Sequence, residues 1–260
     1  MAFQVQDIVN RQSDLWRALF AMPKVELHRH LEGSIRLETL AEVGYEHGVP
    51  MPSYDPEALR PYVQMTAQDP ATHEAFLSKF AVLRQFFCSP EVIQRVVHEA
   101  IEDAAADTVR YMELRFTPNA LAKAKGFSLE EVITWVCEAT QEASKANRIK
   151  VNLIVSMNRH ESLEIGRATL EAALKFREGG VVALDLAGKE PGFPARPFQC
   201  ALSGGAPGRA RDHPARGRVG GRRQRARCHP EHARGPRGPW CARRGGLQHD
   251  AGGAGGAGCF

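Results

Sequence analysis

Residues 23–34 have the sequence PKVELHRHLEGS, which contains the first strand of the chain and its first candidate ligands. Pro23 ends a predicted helix over Gln6–Ala21, and Lys24–His28 has the pattern of a strand. His28 and His30 are two residues apart at the end of that strand, so their side chains point to one face. Two imidazoles there can bind one divalent metal ion, for which zinc is the usual choice. A bare His-x-His is equally compatible with two solvated histidines.

Strands and helices alternate along the chain after this point. Near-continuous apolar strands separated by helices indicate a parallel sheet covered by helices, either a (β/α)8 barrel or an open doubly wound sheet. The absence of a Gly-x-Gly-x-x-Gly after the first strand favours the barrel. The predicted strands are Lys24–His28, Arg110–Phe116, Lys150–Met157 and Val181–Leu186; further helices are predicted over Leu37–His47, from Asp69-Pro70, from Ser89-Pro90, from the Ser128/Glu131 capping box to about Ala146, and over Glu161–Arg177. Met51–Asp69 carries no clear pattern.

Four strands make half of such a barrel, because a complete one needs about 250 ordered residues. The expected fold class is therefore α/β, the N-terminal half of a (β/α)8 TIM-type barrel, with a disordered C-terminal tail. The expected division is 1–199 for the partial barrel and 200–260 for the tail.

The composition changes abruptly near residue 199. Of the 61 residues from 200 to 260, 15 are Gly, 12 Arg, 10 Ala and 5 Pro. Too few large apolar residues are present to offset the entropy of ordering the backbone, hence the prediction of disorder. The tail has no Lys and only three acidic residues, so its net charge is +9, and residues 1–199 carry −5 of the whole-chain +4.

The whole chain has the composition of a soluble globular protein, with 43% hydrophobic and 25% charged residues. No run of eighteen apolar residues is present, which argues against a membrane span. The N-terminus lacks the regions of a signal peptide, and this predicts a cytoplasmic location. Cys88 and Cys137 stand alone in residues 1–199, so no disulfide framework is expected.

Three segments together resemble the adenosine deaminase family of the amidohydrolase superfamily. They are residues 23–33 (PKVELHRHLEG), 111–118 (YMELRFTP) and 181–190 (VVALDLAGKE), and they occur in the family's order over most of residues 20–195. The resemblance implies a zinc-dependent barrel enzyme that hydrolytically deaminates a 6-aminopurine nucleoside. The implied partner is a small-molecule purine nucleoside, with no membrane and no specific nucleic acid. Adenosine, deoxyadenosine, adenine and other 6-aminopurines remain open as substrates.

The resemblance also implies residue roles. His28 and His30 would be zinc ligands, and His30, Glu32 and the backbone amide of Gly188 would contact the substrate. Adenosine-specific members commonly have Asp where this chain has Glu32, and the alternative for Glu32 is a solvated loop carboxylate. Glu113 and Arg115 are predicted to form a buried pair that stabilises the barrel.

Other parts of the family's site have no counterpart in residues 189–260. Family members carry a third zinc histidine and a proton-donating glutamate in a His-Ala-Gly-Glu segment, a later Gly-His-Gly and a late aspartate. In their mechanism, hydroxide generated on zinc adds to C6 of the purine while the glutamate protonates N1. No catalytic residue is therefore predicted within this chain, and the chain as written is expected to be inactive.

The tail is compatible with out-of-frame translation of a GC-rich gene, since Gly, Ala, Arg and Pro have codons built of G and C. Shifted by one base, residues 215–220 are compatible with His-Ala-Gly-Glu-Trp and residues 238–243 with Gly-His-Gly-Val-Arg. We expect a frameshift near Phe198–Cys200. The alternative is a non-catalytic nucleic-acid-binding protein with a basic tail. A metal site from Cys228, His229, His232 and Cys241 matches no standard zinc module.

Overall fold

The computed structural model describes residues 13–199, and four parallel strands form its centre. The strands are β1 Lys24–His30, β2 Val109–Phe116, β3 Lys150–Asn158 and β4 Val181–Ala187, in the spatial order β1-β2-β3-β4. The helices are α1 Asp14–Ala21, α2 Leu37–His47, α3 Pro56–Val63, α4 His73–Leu83, α5 Pro90–Ala106, α6 Pro118–Ala122, α7 Leu129–Asn147 and α8 Leu163–Lys175. Short 3₁₀ turns lie at Leu31–Gly33, Arg84–Phe86 and Arg196–Phe198. The predicted parallel α/β half-barrel is confirmed.

Capping residues begin and end several helices where the sequence predicts. Ser89 caps α5 with Pro90 in its first turn, and Ser128 and Glu131 form the capping box of α7. Gly48 ends α2 in the left-handed conformation, with φ of 63°.

The prediction that Asp69-Pro70 opens a helix is wrong. Thr72 is the N-cap of α4, and the Asp69 carboxylate instead accepts hydrogen bonds from the Thr66 amide, at 2.7 Å, and from Lys79 Nζ, at 2.8 Å. An Asp-Pro pair does begin a helix earlier in the chain. Asp55 accepts a hydrogen bond from the Ala58 amide and is the N-cap of α3. This helix lies in the stretch for which the sequence pattern predicts nothing.

Successive side chains along each strand point to opposite faces of the sheet. Met112, Leu114 and Phe116 of β2 are fully buried in a core that includes Val96 and Val97 of α5 and Ile133 and Val136 of α7; Leu153 and Val155 of β3 belong to the same core. The intervening strand positions face the other side, which corresponds to the barrel interior. Polar side chains on that side, at the carboxyl ends of the strands, form the candidate site.

The two outer strands of the sheet have one neighbour each among residues 13–199. β1 pairs with β2 and β4 pairs with β3. At the β1 edge, Val25 and Leu27 remain 64% and 59% exposed.

Several predictions concern residues outside the described range. They are the start of the first helix at Gln6, the disorder and the frame of the 200–260 tail, and the tail cysteines and histidines. Within residues 13–199, no helix has the length and apolar character needed to cross a membrane.

Candidate active site

A cavity of about 620 Å³ opens at the carboxyl ends of the four strands. His30, Glu32 and Arg115 line it from the β1 and β2 side, and Asn158 and Gly188 line it from the β3 and β4 side. Active sites of parallel barrels lie at this end, because loops from several strands converge there. The cavity is therefore the candidate active site.

His28 lies beside His30, which lines this cavity, and the two rings approach each other as their spacing predicts. Their Nε2 atoms are 3.1 Å apart. Two nitrogens that share a tetrahedral zinc ion at about 2.0–2.1 Å lie roughly 3.3 Å apart, so the pair fits two adjacent ligand positions. Within residues 13–199, no group of three His, Cys, Asp or Glu side chains is placed to hold a metal ion. His28 and His30 are therefore a pair of candidate ligands without a third such residue beside them in this range.

The surroundings of His30 favour its neutral form. Burial is the largest of the effects that together lower the pKa of His30 to about 4; the positive charges of Arg115, His28 and Arg84 act in the same direction, and Asp185 opposes them. The imidazole is thus neutral at neutral pH, which is the form that ligates metal ions.

A row of polar side chains crosses the sheet beside His30. Arg115 lies opposite His30 in the β1–β2 register, and its Nη1 is 3.0 Å from His30 Nδ1 and 2.9 Å from Nε2. The same guanidinium donates to Ser156 Oγ and lies 3.1 Å, Nε to Oδ2, from Asp185. Arg115 is 5% exposed, so its charge is held by partners on three other strands.

The prediction of a buried Glu113–Arg115 pair is wrong. Glu113 accepts a hydrogen bond from Tyr111 Oη at 2.7 Å, and the carboxylate partner of Arg115 is Asp185. Residues two apart on one strand point the same way but lie about two residue rises apart. The Arg115 side chain instead reaches Ser156 and Asp185, which are paired across β3 and β4. Sequence spacing did not reveal this partner.

Glu32 is a buried cavity residue, so its interpretation as a solvated loop carboxylate is wrong. It is 1% exposed, because the 3₁₀ turn Leu31–Gly33 folds it beneath the end of β2. Oε1 accepts a hydrogen bond from the Thr117 amide at 3.1 Å. Oε2 is buried and has no hydrogen-bond partner among residues 13–199. A buried acceptor without a donor is costly, so this oxygen is available to a ligand donor.

Gly188 follows β4 and forms part of the cavity wall. Its φ is +88°, a conformation that L side chains rarely adopt. A Cβ at this position would lie 2.7 Å from His160 Nδ1 and 3.3 Å from Asn158 Oδ1. Only glycine lets the backbone pass this close to the two side chains.

Several cavity residues were missed by the sequence analysis. Asn158 and His160 are two residues apart at the end of β3, the same signal that identified His28 and His30. Phe76 and Phe80 of α4 and the adjacent Arg84 line the opposite wall. Nothing in their local pattern connects α4 with the strand ends.

Comparison with known proteins gives three kinds of match. A family profile described as adenosine deaminase matches residues 23–216. The adenosine deaminase of Clostridium botulinum (strain Langeland) is 38% identical over 176 residues, 67% of this chain and 52% of the relative. A zinc-bound amidohydrolase from Burkholderia ambifaria superposes with a TM-score of 0.63 and 25% identity, covering 73% of this chain and 51% of that one.

A second solved structure is an Arabidopsis protein, ADAL, in complex with IMP. It is 29% identical with a TM-score of 0.56, covering 66% of this chain and 51% of that one. The chain thus spans about half the length of the relatives it matches.

Proposed function

The chain belongs to the adenosine deaminase family, and we propose that its cavity is one half of a site for zinc-dependent hydrolytic deamination of a 6-aminopurine nucleoside. The observation that carries the proposal is the 3.1 Å approach of the His28 and His30 Nε2 atoms beside the cavity. The family match and the C–N hydrolase chemistry of that family support the same reaction class.

The zinc assignment rests on the chemistry of the donor set. Two neutral imidazole nitrogens on one face, at the spacing of adjacent tetrahedral ligands, fit zinc better than they fit Mg²⁺ or Ca²⁺, which prefer oxygen ligands. Zinc bound there would supply an activated water as the nucleophile. The Burkholderia neighbour was solved with bound zinc, which agrees with this assignment.

Two further residues would bind and orient the substrate. Glu32 Oε2 is a buried acceptor that faces the cavity and can take a hydrogen bond from a substrate donor. Gly188 brings its backbone to the cavity wall without a side chain, so a planar purine can lie against it. Asn158 and His160 lie directly beside this glycine and define how far the base can enter.

We further propose that this chain alone does not run the reaction. Residues 13–199 supply two metal ligands, whereas catalytic zinc sites usually hold three protein ligands. The tail has the composition of an out-of-frame reading, and its shifted frame is compatible with the family's missing segments. The same protein with its reading frame restored would convert a 6-aminopurine nucleoside to its 6-oxo form and release ammonia.

The test has two arms. Resequencing the gene around the codons for residues 195–202 should reveal the frame change, and a confirmed in-frame reading would remove that part of the proposal. The frame-restored protein, loaded with zinc, should convert adenosine to inosine in an assay that follows the ultraviolet absorbance of the purine ring, while the 260-residue chain should show no turnover above background. Robust zinc-dependent turnover by the 260-residue chain, or none by the restored protein with any 6-aminopurine, would contradict the proposal.

A further inference from the structure

The charge lining the cavity is unbalanced. Three cationic side chains line it, Arg84, Arg115 and Lys189, against one carboxylate, Glu32. Arg115 is neutralised by Asp185. Arg84 and Lys189 have no ion pair with any residue in the described range 13–199. After Glu32 is counted, the wall still carries an excess positive charge, which a neutral nucleoside would leave uncompensated.

Arg84 is held in place by an aromatic ring and not by a carboxylate. Its Cζ lies 5.9 Å from the centroid of the Phe80 ring, and the His30 ring lies 5.6 Å from the same ring on the β1 side. The guanidinium is therefore positioned near the candidate metal ligand. Its Nε is buried and has no hydrogen-bond acceptor in the part of the chain that the structure describes.

A buried donor without an acceptor is unfavourable unless a ligand provides one. The guanidinium presents its donors in a planar fork that matches the oxygens of a phosphate. Lys189 directly follows Gly188 and adds a second, more mobile positive charge on the β4 side of the cavity. The Glu32 carboxylate remains partly satisfied by the Thr117 amide, which reduces its repulsion of an anion.

We propose that the substrate of this site carries a phosphate monoester, so that the ligand is a 6-aminopurine nucleoside 5′-monophosphate whose phosphate is bound by Arg84 with help from Lys189. This inference rests on the proposed function, because it takes the purine end of the ligand from that proposal. It adds the chemical class of the other end.

The test is isothermal titration calorimetry of the full 260-residue chain with adenosine, AMP, CMP and inorganic phosphate, at low and at raised salt concentration. The chain should bind AMP at least tenfold more tightly than it binds adenosine, CMP or phosphate. Arg84→Met should abolish the preference, so that AMP and adenosine bind with equal affinity, while Arg84→Lys should keep part of the preference. The thermal unfolding midpoint of each variant reports whether it is folded, and Lys189→Met provides a second variant with a smaller expected loss.

The matched control is Arg167→Met, which removes the same charge from the exposed side of α8. It should leave all four affinities unchanged. The arginines of the tail are present in every variant, so nonspecific attraction of anions to the tail cancels in the comparison.

The outcomes separate the two proposals. Adenosine binding without a preference for AMP, or a preference that Arg84→Met does not reduce, overturns the phosphate inference and leaves the deaminase proposal standing. Phosphate or CMP binding as tightly as AMP, with the same sensitivity to Arg84→Met, shows an anion site without purine selectivity and also overturns it. Absence of binding by every purine overturns the phosphate inference, whereas the deaminase proposal is tested separately by the activity of the frame-restored protein.

Discussion

Arg115 on β2 and Asp185 on β4 face each other across the intervening strand β3, with Nε 3.1 Å from Oδ2. The Nε–H does not point at the carboxylate, so the attraction is electrostatic, and Ser156 of β3 links the two groups by hydrogen bonds to both. Because Arg115 also contacts His30 of β1, this pair connects all four strands at the level of the candidate metal ligands. We expect it to determine both the stability of the site and the orientation of His30.

Replacing Asp185 by Asn should destabilise the fold more than replacing Arg115 by Met. The Arg115 side chain is 6% exposed and the Asp185 side chain 27%, so the arginine left alone is the more costly buried charge. We expect a loss of about 2–4 kcal/mol in the free energy of unfolding for Asp185→Asn, and a smaller loss for Arg115→Met. Urea denaturation of both single variants and the double variant measures this. Strictly additive losses would mean that the two side chains are not coupled.

Zinc binding should depend on His28 and His30 and not on other histidines. Each supplies one nitrogen of the pair, so His28→Ala or His30→Ala should abolish the weak zinc binding of the chain, measured by competition with a chelating dye. In the frame-restored protein the same changes should abolish deamination. His47→Ala is the control, because His47 is exposed at the end of α2 and should leave both properties unchanged. Loss of zinc binding in His47→Ala would contradict the assignment.

Gly188→Ala should weaken purine binding, whereas Gly192→Ala should not. Both glycines have positive φ, +88° and +79°, so each substitution should cost about 1–2 kcal/mol of backbone strain. Only at Gly188 would the new Cβ collide, 2.7 Å from His160 Nδ1, since nothing lies within 4 Å at Gly192. The difference between the two variants in thermal stability and in adenosine affinity isolates the collision. Equal effects would show that the space around Gly188 is not needed.

The Asp69 carboxyl should titrate well below an ordinary aspartate. A hydrogen bond from Lys79, followed by those from the Thr66 amide and hydroxyl, lowers the pKa of Asp69 to about 2. Because the folded pKa is depressed, this contribution to stability is present above about pH 4, the ordinary unfolded value, and is lost as the pH falls towards 2. An NMR titration of the carboxyl carbon checks the midpoint, which Lys79→Met should raise. A midpoint near 4 in the unmodified chain would contradict the contact.

The exposed edge of β1 should make the chain self-associate. Val25 and Leu27 belong to β1 and are exposed. Among the described residues β1 pairs with β2 alone, and unpaired strand edges of this kind tend to pair with other chains. Leu27→Lys should therefore reduce the apparent mass measured by light scattering at equal concentration. Leu174→Lys, on the outer helix α8 where Leu174 is 41% exposed, is the control and should change little. Equal effects of both variants would point to general solubility and not to the strand edge.

Local features of the sequence determined the elements and one pair of candidate ligands. The period of two placed His28 and His30 on one face, and the capping residues Ser89 and Ser128 began their helices, because these signals act over a few residues. The same kind of signal misled at Asp69-Pro70, where Lys79 and Thr66 compete for the carboxylate that would otherwise cap a helix.

Only the tertiary structure decided which side chains share the site. Arg115 pairs with Asp185, 70 positions away, and not with Glu113 on its own strand, because its long side chain reaches the level of Ser156 and Asp185, which are paired across β3 and β4. Glu32 is buried because a turn after β1 folds under the end of β2, and Arg84 reaches the cavity because Phe80 holds it there. Contacts between distant strands and helices depend on how the elements pack, and no pattern within a few residues of the chain encodes them.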